Sequence, residues 1–400
     1  ALIFTTIFTT SSVTAMGNFE ETPPPVKPGN DTPIVSVSED LAAQALSENG
    51  ANVIIQLKIP FTPLGELSSE EAEAQEINIA EVQSILLADI SSFDAQNVTQ
   101  FQYIPFVAMT VDNETLEALQ SLDYVVSIVE NGFNEILLDE SIPLIDADNA
   151  WTKGADGTGW TVAILDTGVQ KTHPFLSGKV VSEACYSSYG SLCPGGVSSS
   201  TASGSGVNCS ISSECAHGTH VAGIAAGKGT SFSGVAKNAN IIAIQVFSNT
   251  IYGLRASDSD IIKGLERVYA LQSTYNIASV NMSLGGGKYS SYCDSVNPAM
   301  KTAIDNLRSV KIATAIATGN DGYHTDISYP ACISSAIAVG ATTKNDEVAY
   351  YSNSNSLVDL LAPGSSINSS IPTSTYARYN GTSMATPHVA GAWAALRTVS

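Results

Sequence analysis

The spacing of apolar and polar residues divides the chain into two parts. Between residues 50 and 131, strand-like apolar runs alternate with segments whose apolar residues have helical spacing. We predict strands and helices in the order β-α-β-α-β, which favours a small open-faced α+β domain with its helices on one side. The predicted strands are Asn52–Ile59, Phe101–Val111 and Tyr124–Val129, and the predicted helices are Ser68–Ile90, capped by Ser68-Ser69, and Asn113–Leu122, capped by Asn113.

From residue 142 onward the pattern changes to short apolar runs between longer helical segments. Runs of this kind are typical of strands buried on both faces, so they predict a parallel α/β sheet. In such sheets the functional groups lie at the carboxyl ends of the strands. The predicted strands are Thr161–Leu165, Ile241–Val246, Ser279–Met282, Ile312–Ala317 and Ala336–Val339, with helices at Asp258–Ser273 and Asn297–Leu307.

Composition and charge support this division. Of the 400 residues 44% are apolar and only 14% are charged, which argues against disorder over most of the chain. No apolar run approaches about 20 residues, so we expect no membrane-spanning helix. Residues 1–140 carry 22 acidic and 2 basic residues, whereas residues 141–400 carry 16 and 15. A net charge of −21 makes nucleic acid an unsuitable partner, because phosphate would be repelled.

The first 49 residues fit no folded element. Residues 1–15 are apolar and hydroxylated, and Val13-Thr14-Ala15 fits a signal-peptidase site, so we interpret them as a partial signal peptide. A frayed apolar N-terminus is the alternative. Residues 16–49 contain five prolines, at positions 23, 24, 25, 28 and 33, and are interpreted as a Pro-rich linker.

Four motifs place chemically useful side chains at predicted strand ends or helix starts. Asp166-Thr167-Gly168 follows one strand, and Thr318-Gly319-Asn320-Asp321-Gly322 follows another. The stretches 217–223 (HGTHVAG) and 381–391 (GTSMATPHVAG) open helices rich in small residues. An acid, a base, a hydroxyl nucleophile and an amide donor are therefore expected at one edge of the sheet.

Over residues 142–400 these motifs, in the order Asp…His…Ser, resemble those of the subtilisin-like serine proteases (subtilases). The resemblance implies a mostly parallel sheet with helices on both faces and a serine-type endopeptidase. Ser383 would be the nucleophile, His217 the general base and then the acid, and Asp166 the group that orients the imidazole. Asn320, with the backbone N–H of Ser383, would form the oxyanion hole.

Each of these residues also has a structural interpretation. Asp166 and Asn320 suit turns, His217 suits a helix start, and Ser383 suits an N-cap. A catalytically silent binding protein is the rival hypothesis from another class. Asp-Thr-Gly also marks aspartic proteases, but no second such motif supplies the partner carboxylate. A zinc site at His217 and His220 lacks a further ligand at suitable spacing.

The resemblance also implies that substrate binds through backbone groups. Ser283-Leu284-Gly285-Gly286 is similar to the family strand that pairs with an extended peptide, and Gly253–Ala256 would flank the other side. Ala317–Gly319, that is Ala317, Thr318 and Gly319, would wall the pocket for the residue before the scissile bond. An uncharged wall predicts a broad, apolar preference. A plain loop at 285–287 is the alternative.

The cysteines suit an exported protein, for which we predict secretion. Six cysteines allow 15 pairings, and spacing alone decides none of them. The local pairs Cys185–Cys193 and Cys209–Cys215 are plausible and would leave Cys293–Cys332. No cofactor is required. Calcium remains an open expectation without an identified site, because Gly227–Ser233 carries no carboxylate.

Residues 50–138 resemble the propeptide of subtilases, a ferredoxin-like inhibitor domain, by pattern and position. This implies a zymogen that is inhibited by its own propeptide and cuts itself near Leu138, within a predicted interdomain linker Asn131–Ser141. A permanent regulatory domain is the alternative. Residues 139–400 would be the peptidase domain. Only 17 residues follow Ser383, so we expect this domain to be C-terminally incomplete. Proteins or peptides are the expected substrates, and a monomer is expected.

Overall fold

The computed structural model describes residues 35–400 except 48, 137–144 and 231. The predicted signal peptide at 1–15 and the predicted cut near Leu138 lie outside the described residues. The first part contains α1 Glu39–Ala45, β1 Ala51–Leu57, α2 Ser69–Asp89, β2 Ala95–Gln100, β3 Phe106–Val111, α3 Asn113–Ser121, β4 Val125–Glu130 and β5 Phe133–Ile136. The second part contains α4 Ala147–Thr152, β6 Thr161–Asp166, β7 Val180–Tyr186, β8 Ser199–Ser200, α5 His217–Ala226, β9 Asn240–Gln245, β10 Phe247–Thr250, β11 Gly253–Ser257, α6 Asp258–Leu271, β12 Ile277–Met282, β13 Leu284–Tyr289, α7 Pro298–Ser309, β14 Ala313–Ala317, β15 Ile327–Tyr329, β16 Ile337–Thr342, β17 Leu360–Pro363, β18 Ile367–Ile371, β19 Thr375–Tyr379 and α8 Thr382–Arg397.

The N-terminal domain is a four-stranded antiparallel sheet in the order β2-β3-β1-β4. With α2 and α3 it has the β-α-β-β-α-β order of the ferredoxin-like motif, as expected. The sequence analysis missed β2 and wrongly merged residues 101–105 into the following strand. The reason is that β2 (AQNVTQ) is a mostly exposed edge strand without an apolar face.

Two boundaries of this domain differ from the predictions. α1 lies inside the predicted linker 16–49, so the folded domain begins before residue 50. Ser38 caps α1, and Leu41 and Ala45, one turn apart, are buried in the domain core. The cap of α3 was also wrong, because Asp112, not Asn113, accepts the hydrogen bond from the N–H of Thr115, at 2.8 Å.

The second domain is built on an eight-stranded sheet in the order β17-β16-β14-β12-β6-β9-β7-β8. All neighbouring strands are parallel except the short edge strand β8. The central strand β6 is buried on both faces. Val162 and Ile164 pack in one core with α5 and α8, and Ala163 and Leu165 pack in the other with α6 and α7. The predicted parallel sheet with helices on both faces is thus confirmed.

Three disulfides lie in this second domain: Cys185–Cys193, Cys209–Cys215 and Cys293–Cys332. These are the pairs given in the sequence analysis. Cys209–Cys215 closes a loop that ends two residues before α5. The backbone of Cys209 donates to Thr167 O at 3.0 Å, and Thr167 Oγ1 donates to Cys215 O at 3.3 Å. The disulfide loop is therefore fastened directly to the end of β6.

The segment 133–136, which the sequence analysis assigned to an interdomain linker, forms strand β5 in the sheet β10-β11-β5-β13-β15. β5 is antiparallel to both of its neighbours. It therefore runs between β11 and β13 and joins the N-terminal domain to the surface of the second domain. Its pairing is tertiary, so no local sequence pattern predicts it.

Candidate active site

The carboxyl end of β6 holds a buried acid in direct contact with the first residue of α5. Asp166 and His217 are both 0% exposed. The Nδ1 of His217 lies 2.8 Å from Asp166 Oδ1 and 2.9 Å from Oδ2. Since a carboxylate accepts, this geometry holds the tautomer with hydrogen on Nδ1 and directs the ring's Nε2 lone pair away from the acid.

Backbone contacts fix this pair. The N–H of Thr167 donates to Asp166 Oδ1 at 2.7 Å, and the N–H of Gly218 donates to Thr167 Oγ1 at 2.9 Å. Any Cβ at position 218 would collide with the carbonyl of Gly168. Glycine after the histidine therefore lets α5 begin against the end of β6. Sequence analysis missed Thr167, although its place inside the Asp-Thr-Gly motif was a signal.

Ser383 is the second residue of α8, which packs against α5. It is 0% exposed, and its hydroxyl donates to Ser283 O at 3.2 Å. Ser283 Oγ in turn donates to Ser383 O at 2.8 Å. These two bonds hold the first turn of α8 to the residue that follows β12, so the hydroxyl of Ser383 lies at the carboxyl edge of the sheet.

Asn320 follows β14 and is fixed by the residue before Ser383. Its Oδ1 accepts from the backbone N–H of Thr382 at 2.8 Å and from Thr382 Oγ1 at 3.0 Å. With the oxygen occupied, the Nδ2 hydrogens are directed elsewhere as donors. Thr382 was missed by the sequence analysis, although it directly precedes the predicted nucleophile Ser383 within the same motif.

The segment Ser283–Gly286 adjoins strand β5. Leu284 pairs with Ile136 and Gly285 with Glu135, while Gly286 pairs with Tyr329 on the other side. The predicted peptide-pairing strand therefore has an extended segment of the same chain beside it. A Cβ at Gly285 would press on the carbonyl of Tyr329, which explains why glycine is needed there.

The other predicted substrate-binding residues, Gly253, Ala317 and Gly319, do not pair with β5. β11 pairs with β5 through Ala256 and Ser257, whereas Gly253 lies at the turn end of β11 and pairs with Thr250. Ala317 ends β14 and is buried. Gly319 has φ +104°, and a Cβ there would collide with Asn353 and Ser328. Its N–H donates to Thr382 Oγ1 at 3.2 Å, which ties the predicted wall to the serine motif.

Two further histidines lie in the helices that carry the site. His388 in α8 donates its Nδ1–H to Met384 O at 2.7 Å, and His220 in α5 donates from Nε2 to Ala377 O at 3.1 Å. Burial lowers the pKa of His388 to about 4 and that of His220 to about 3. Both rings are therefore neutral and structural at pH 7.

We expect that replacing His388 with asparagine will reduce the loss of unfolding free energy between pH 7 and pH 4.5. The folded chain holds His388 neutral down to about pH 4, whereas the unfolded chain binds the proton at about 6.5. Stability is therefore lost as pH falls from 6.5 towards 4, by about 2 kcal/mol at pH 4.5. Asparagine retains a donor for Met384 O but cannot ionise.

The measurement is urea unfolding at pH 7 and 4.5, in a Ser383→Ala background that prevents self-digestion. The difference in unfolding free energy between the two pH values should be smaller in the His388→Asn chain. An equal difference in both chains would mean that His388 does not titrate with unfolding.

Within the part of the chain that the structure describes, no group of three or more His, Cys, Asp or Glu side chains is arranged to hold a metal ion. The absence of a cofactor and the open expectation of calcium remain predictions. Helices in the same residues are all too short or too polar to span a membrane.

The structure thus has an imidazole held by a buried carboxylate and, at the same carboxyl edge of the sheet, a serine in the first turn of a helix. These are the side chains that a serine-type hydrolase uses. A protein-family model described as "Subtilase family" matches residues 157–399. An alkaline protease of Alkalihalobacillus alcalophilus is 34% identical over 318 residues, which cover 78% of this chain and 74% of the relative. Subtilisin E of Bacillus subtilis is 35% identical over 302 residues, covering 73% and 70%.

A third relative, the major intracellular serine protease of Bacillus subtilis, is 34% identical over 269 residues, covering 65% of this chain and 75% of the relative. The match to the family spans more than half of the chain. The chain therefore belongs to the subtilase family, and the prediction of a subtilisin-like serine-type peptidase is confirmed.

Proposed function

We propose that this protein is a secreted serine endopeptidase, made as a self-cleaving zymogen, in which Asp166, His217 and Ser383 form the catalytic triad. The observation that carries the proposal is the buried Asp166–His217 pair, with both carboxylate oxygens within 2.9 Å of Nδ1, at the edge of the sheet where Ser383 lies in the first turn of α8. The roles follow from general triad chemistry.

The reaction has two halves. His217 Nε2 takes the proton of Ser383 Oγ as this oxygen attacks the substrate carbonyl, which gives a tetrahedral oxyanion. The C–N bond then breaks, the imidazolium gives its proton to the leaving amine, and an acyl-enzyme remains. In the second half, His217 Nε2 takes a proton from water as the water oxygen attacks the acyl-enzyme. The ester bond to Ser383 Oγ then breaks, the imidazolium returns the proton to this oxygen, and the carboxylic acid product is released. Asp166 remains ionised and stabilises the imidazolium in each half.

Asn320 is proposed as an oxyanion donor, together with the N–H of Ser383. Its Oδ1 is engaged by Thr382, and this orients the Nδ2 hydrogens before substrate arrives. A donor fixed in advance needs no reorganisation as charge develops, and loss of one such donor costs about 10²–10³ in kcat.

Substrate is proposed to bind as an extended strand where β5 now lies, between β11 and β13. Antiparallel pairing on both sides supplies affinity through backbone hydrogen bonds, which suits many sequences. Ala317 and Gly319 are proposed to line the pocket that receives the side chain of the residue before the scissile bond. An uncharged wall of small residues favours apolar side chains there, so a broad apolar preference is proposed.

The N-terminal domain is proposed to be the propeptide and an intramolecular inhibitor. Its support is β5, since residues 133–136 pair with the strands that a substrate would use. Contacts elsewhere hold the domains together. The N–H of Tyr103 donates to Glu266 Oε1 at 2.8 Å, and Asn131 Nδ2 donates to Ser259 Oγ at 2.9 Å. Leu138 remains the proposed cleavage position.

Secretion is proposed from the disulfides, because such bonds persist in oxidising compartments. Family membership does not decide this point, since one relative is named as intracellular. A monomer that acts on proteins or peptides remains part of the proposal.

The experiment is a time course of intact mass and of hydrolysis of an internally quenched peptide. We expect the chain to split within residues 133–144, and the released N-terminal part to be degraded as peptide hydrolysis rises. A folded chain that stays intact and never hydrolyses peptide would contradict the proposal. Hydrolysis by the uncut chain would instead indicate a permanent regulatory domain.

A further inference from the structure

The register of β5 identifies the side chain that lies beside one position of a bound peptide. Ala256 pairs with Asn134 and Ser257 with Phe133. Continuing this antiparallel register by one residue places residue 135 opposite Arg255 of β11. On the other side of β5, residue 135 pairs with Gly285. A peptide residue in this register therefore has an arginine on one flank and a glycine on the other.

This position suits recognition of charge. Residues directly opposite each other in an antiparallel pair project their side chains to the same face, with Cβ atoms about 4.5–5.5 Å apart. Gly285 contributes no side chain, so of the two residues flanking this position only Arg255 can contact the peptide's side chain. On its other side Arg255 pairs with Ser248 of β10, which is uncharged.

Arg255 is partly exposed, and its guanidinium is restrained. Arg255 Nη1 donates to Leu254 O at 2.9 Å, which restrains the guanidinium against the backbone of β11. A restrained guanidinium loses less conformational entropy when it binds a carboxylate, and its fork of N–H donors matches the two carboxylate oxygens. Partial burial reduces the screening of this interaction by water and salt.

The chain itself carries a matching residue at this position. Glu135 is the residue of β5 in register with Arg255 and Gly285, in a domain whose segment 1–140 is strongly acidic. The backbone register alone defines this position of Glu135. When the chain occupies its own binding strand, the residue in register with Arg255 is therefore an acidic one.

We propose that Arg255 is a specificity-determining residue that selects glutamate or aspartate at the substrate position in register with residue 135. This inference rests on the proposed peptidase function and narrows its substrate class. Acidic selection here is compatible with an apolar preference next to the scissile bond, because the two side chains occupy different positions of the extended peptide.

The experiment compares internally quenched peptides based on residues 130–141 (ENGFNEILLDES), cleaved by the mature enzyme. One peptide has glutamate at position 135 and a second has Glu135→Gln, which removes charge but keeps shape. A third combines Asn134→Glu with Glu135→Gln and so moves the charge by one residue, to the other face of the strand. Mass spectrometry identifies the bond cut in each peptide.

We expect the glutamate peptide to have a kcat/KM about three- to tenfold above that of the glutamine peptide at low salt, the size of a partly screened ion pair. The advantage should shrink in 0.5 M salt, a test that needs no variant. The peptide with the moved charge should resemble the glutamine peptide. Arg255→Gln should bring the ratio close to one, Arg255→Lys should keep part of it, and Arg255→Glu should reverse it.

Arg308→Gln is the matched control, because it makes the same change of charge in α7 at the amino end of β14, away from the site. It should keep the wild-type ratio. Equal kcat/KM for the glutamate and glutamine peptides in the wild-type enzyme would overturn the inference, as would an unchanged ratio in Arg255→Gln. A folded wild-type enzyme that cleaves none of the peptides would overturn the proposed function itself.

Discussion

Replacing Ser383 with alanine should lower kcat for peptide hydrolysis by about 10⁶-fold, the cost of losing the nucleophile when a triad acts as a unit. The substitution removes one hydroxyl and its bond to Ser283 O, at 3.2 Å. The backbone carbonyl of Ser383 still accepts from Ser283 Oγ, so the first turn of α8 should keep its place. The chain should also remain uncut between its domains.

The measurement is peptide hydrolysis together with intact mass after purification. Circular dichroism and a thermal melt provide the control for folding. Thr386→Ala, which removes another buried hydroxyl of α8 that donates to Thr382 O at 2.8 Å, is a matched variant and should retain hydrolysis. Self-cleavage by the Ser383→Ala chain in the absence of any other protease would contradict the assigned nucleophile.

Replacing Asp166 with asparagine should lower kcat by about 10⁴-fold with little change in shape. An amide can present its NH₂ to Nδ1 of His217, and this favours the tautomer with the proton on Nε2. The nitrogen that should take the serine's proton is then already protonated. Because both Asp166 oxygens lie within 2.9 Å of Nδ1, an amide in either orientation brings its NH₂ close to this atom.

The measurement is the dependence of kcat on pH for the wild type and the Asp166→Asn chain. The Asp166→Asn chain is first cut between its domains by wild-type enzyme, which is then removed. We expect KM to change much less than kcat, since Asp166 touches the base and not the peptide. A loss below tenfold would mean that Asp166 acts as a turn residue, which was the alternative drawn from the sequence.

The site could be predicted because each reactive side chain lies inside a short local motif. Asp166 follows an apolar strand, and His217 and Ser383 lie at the starts of helices rich in small residues. The sheet that brings these motifs together could be predicted as well, because β6, β9 and β12 are buried on both faces and are therefore mostly apolar.

The elements that the sequence analysis did not predict, β2, α1 and β5, lack such a local signal. β2 is polar and depends on its partner β3 for hydrogen bonds, so no apolar period marks it. α1 has only two buried residues, which is too few for a periodic signal. β5 and the position of Arg255 depend on pairing between residues far apart in sequence. That register becomes visible only when the two domains are placed together.

The most direct test of the account is intact mass and peptide mapping after the protein is mixed with a serine-directed fluorophosphonate. We predict a single adduct, on Ser383, on a chain that has lost its N-terminal part by a cut within residues 133–144. Labelling should fail in the Asp166→Asn and Ser383→Ala chains. A folded, N-terminally processed chain that gains no adduct, or gains one on another serine, would contradict the central claim.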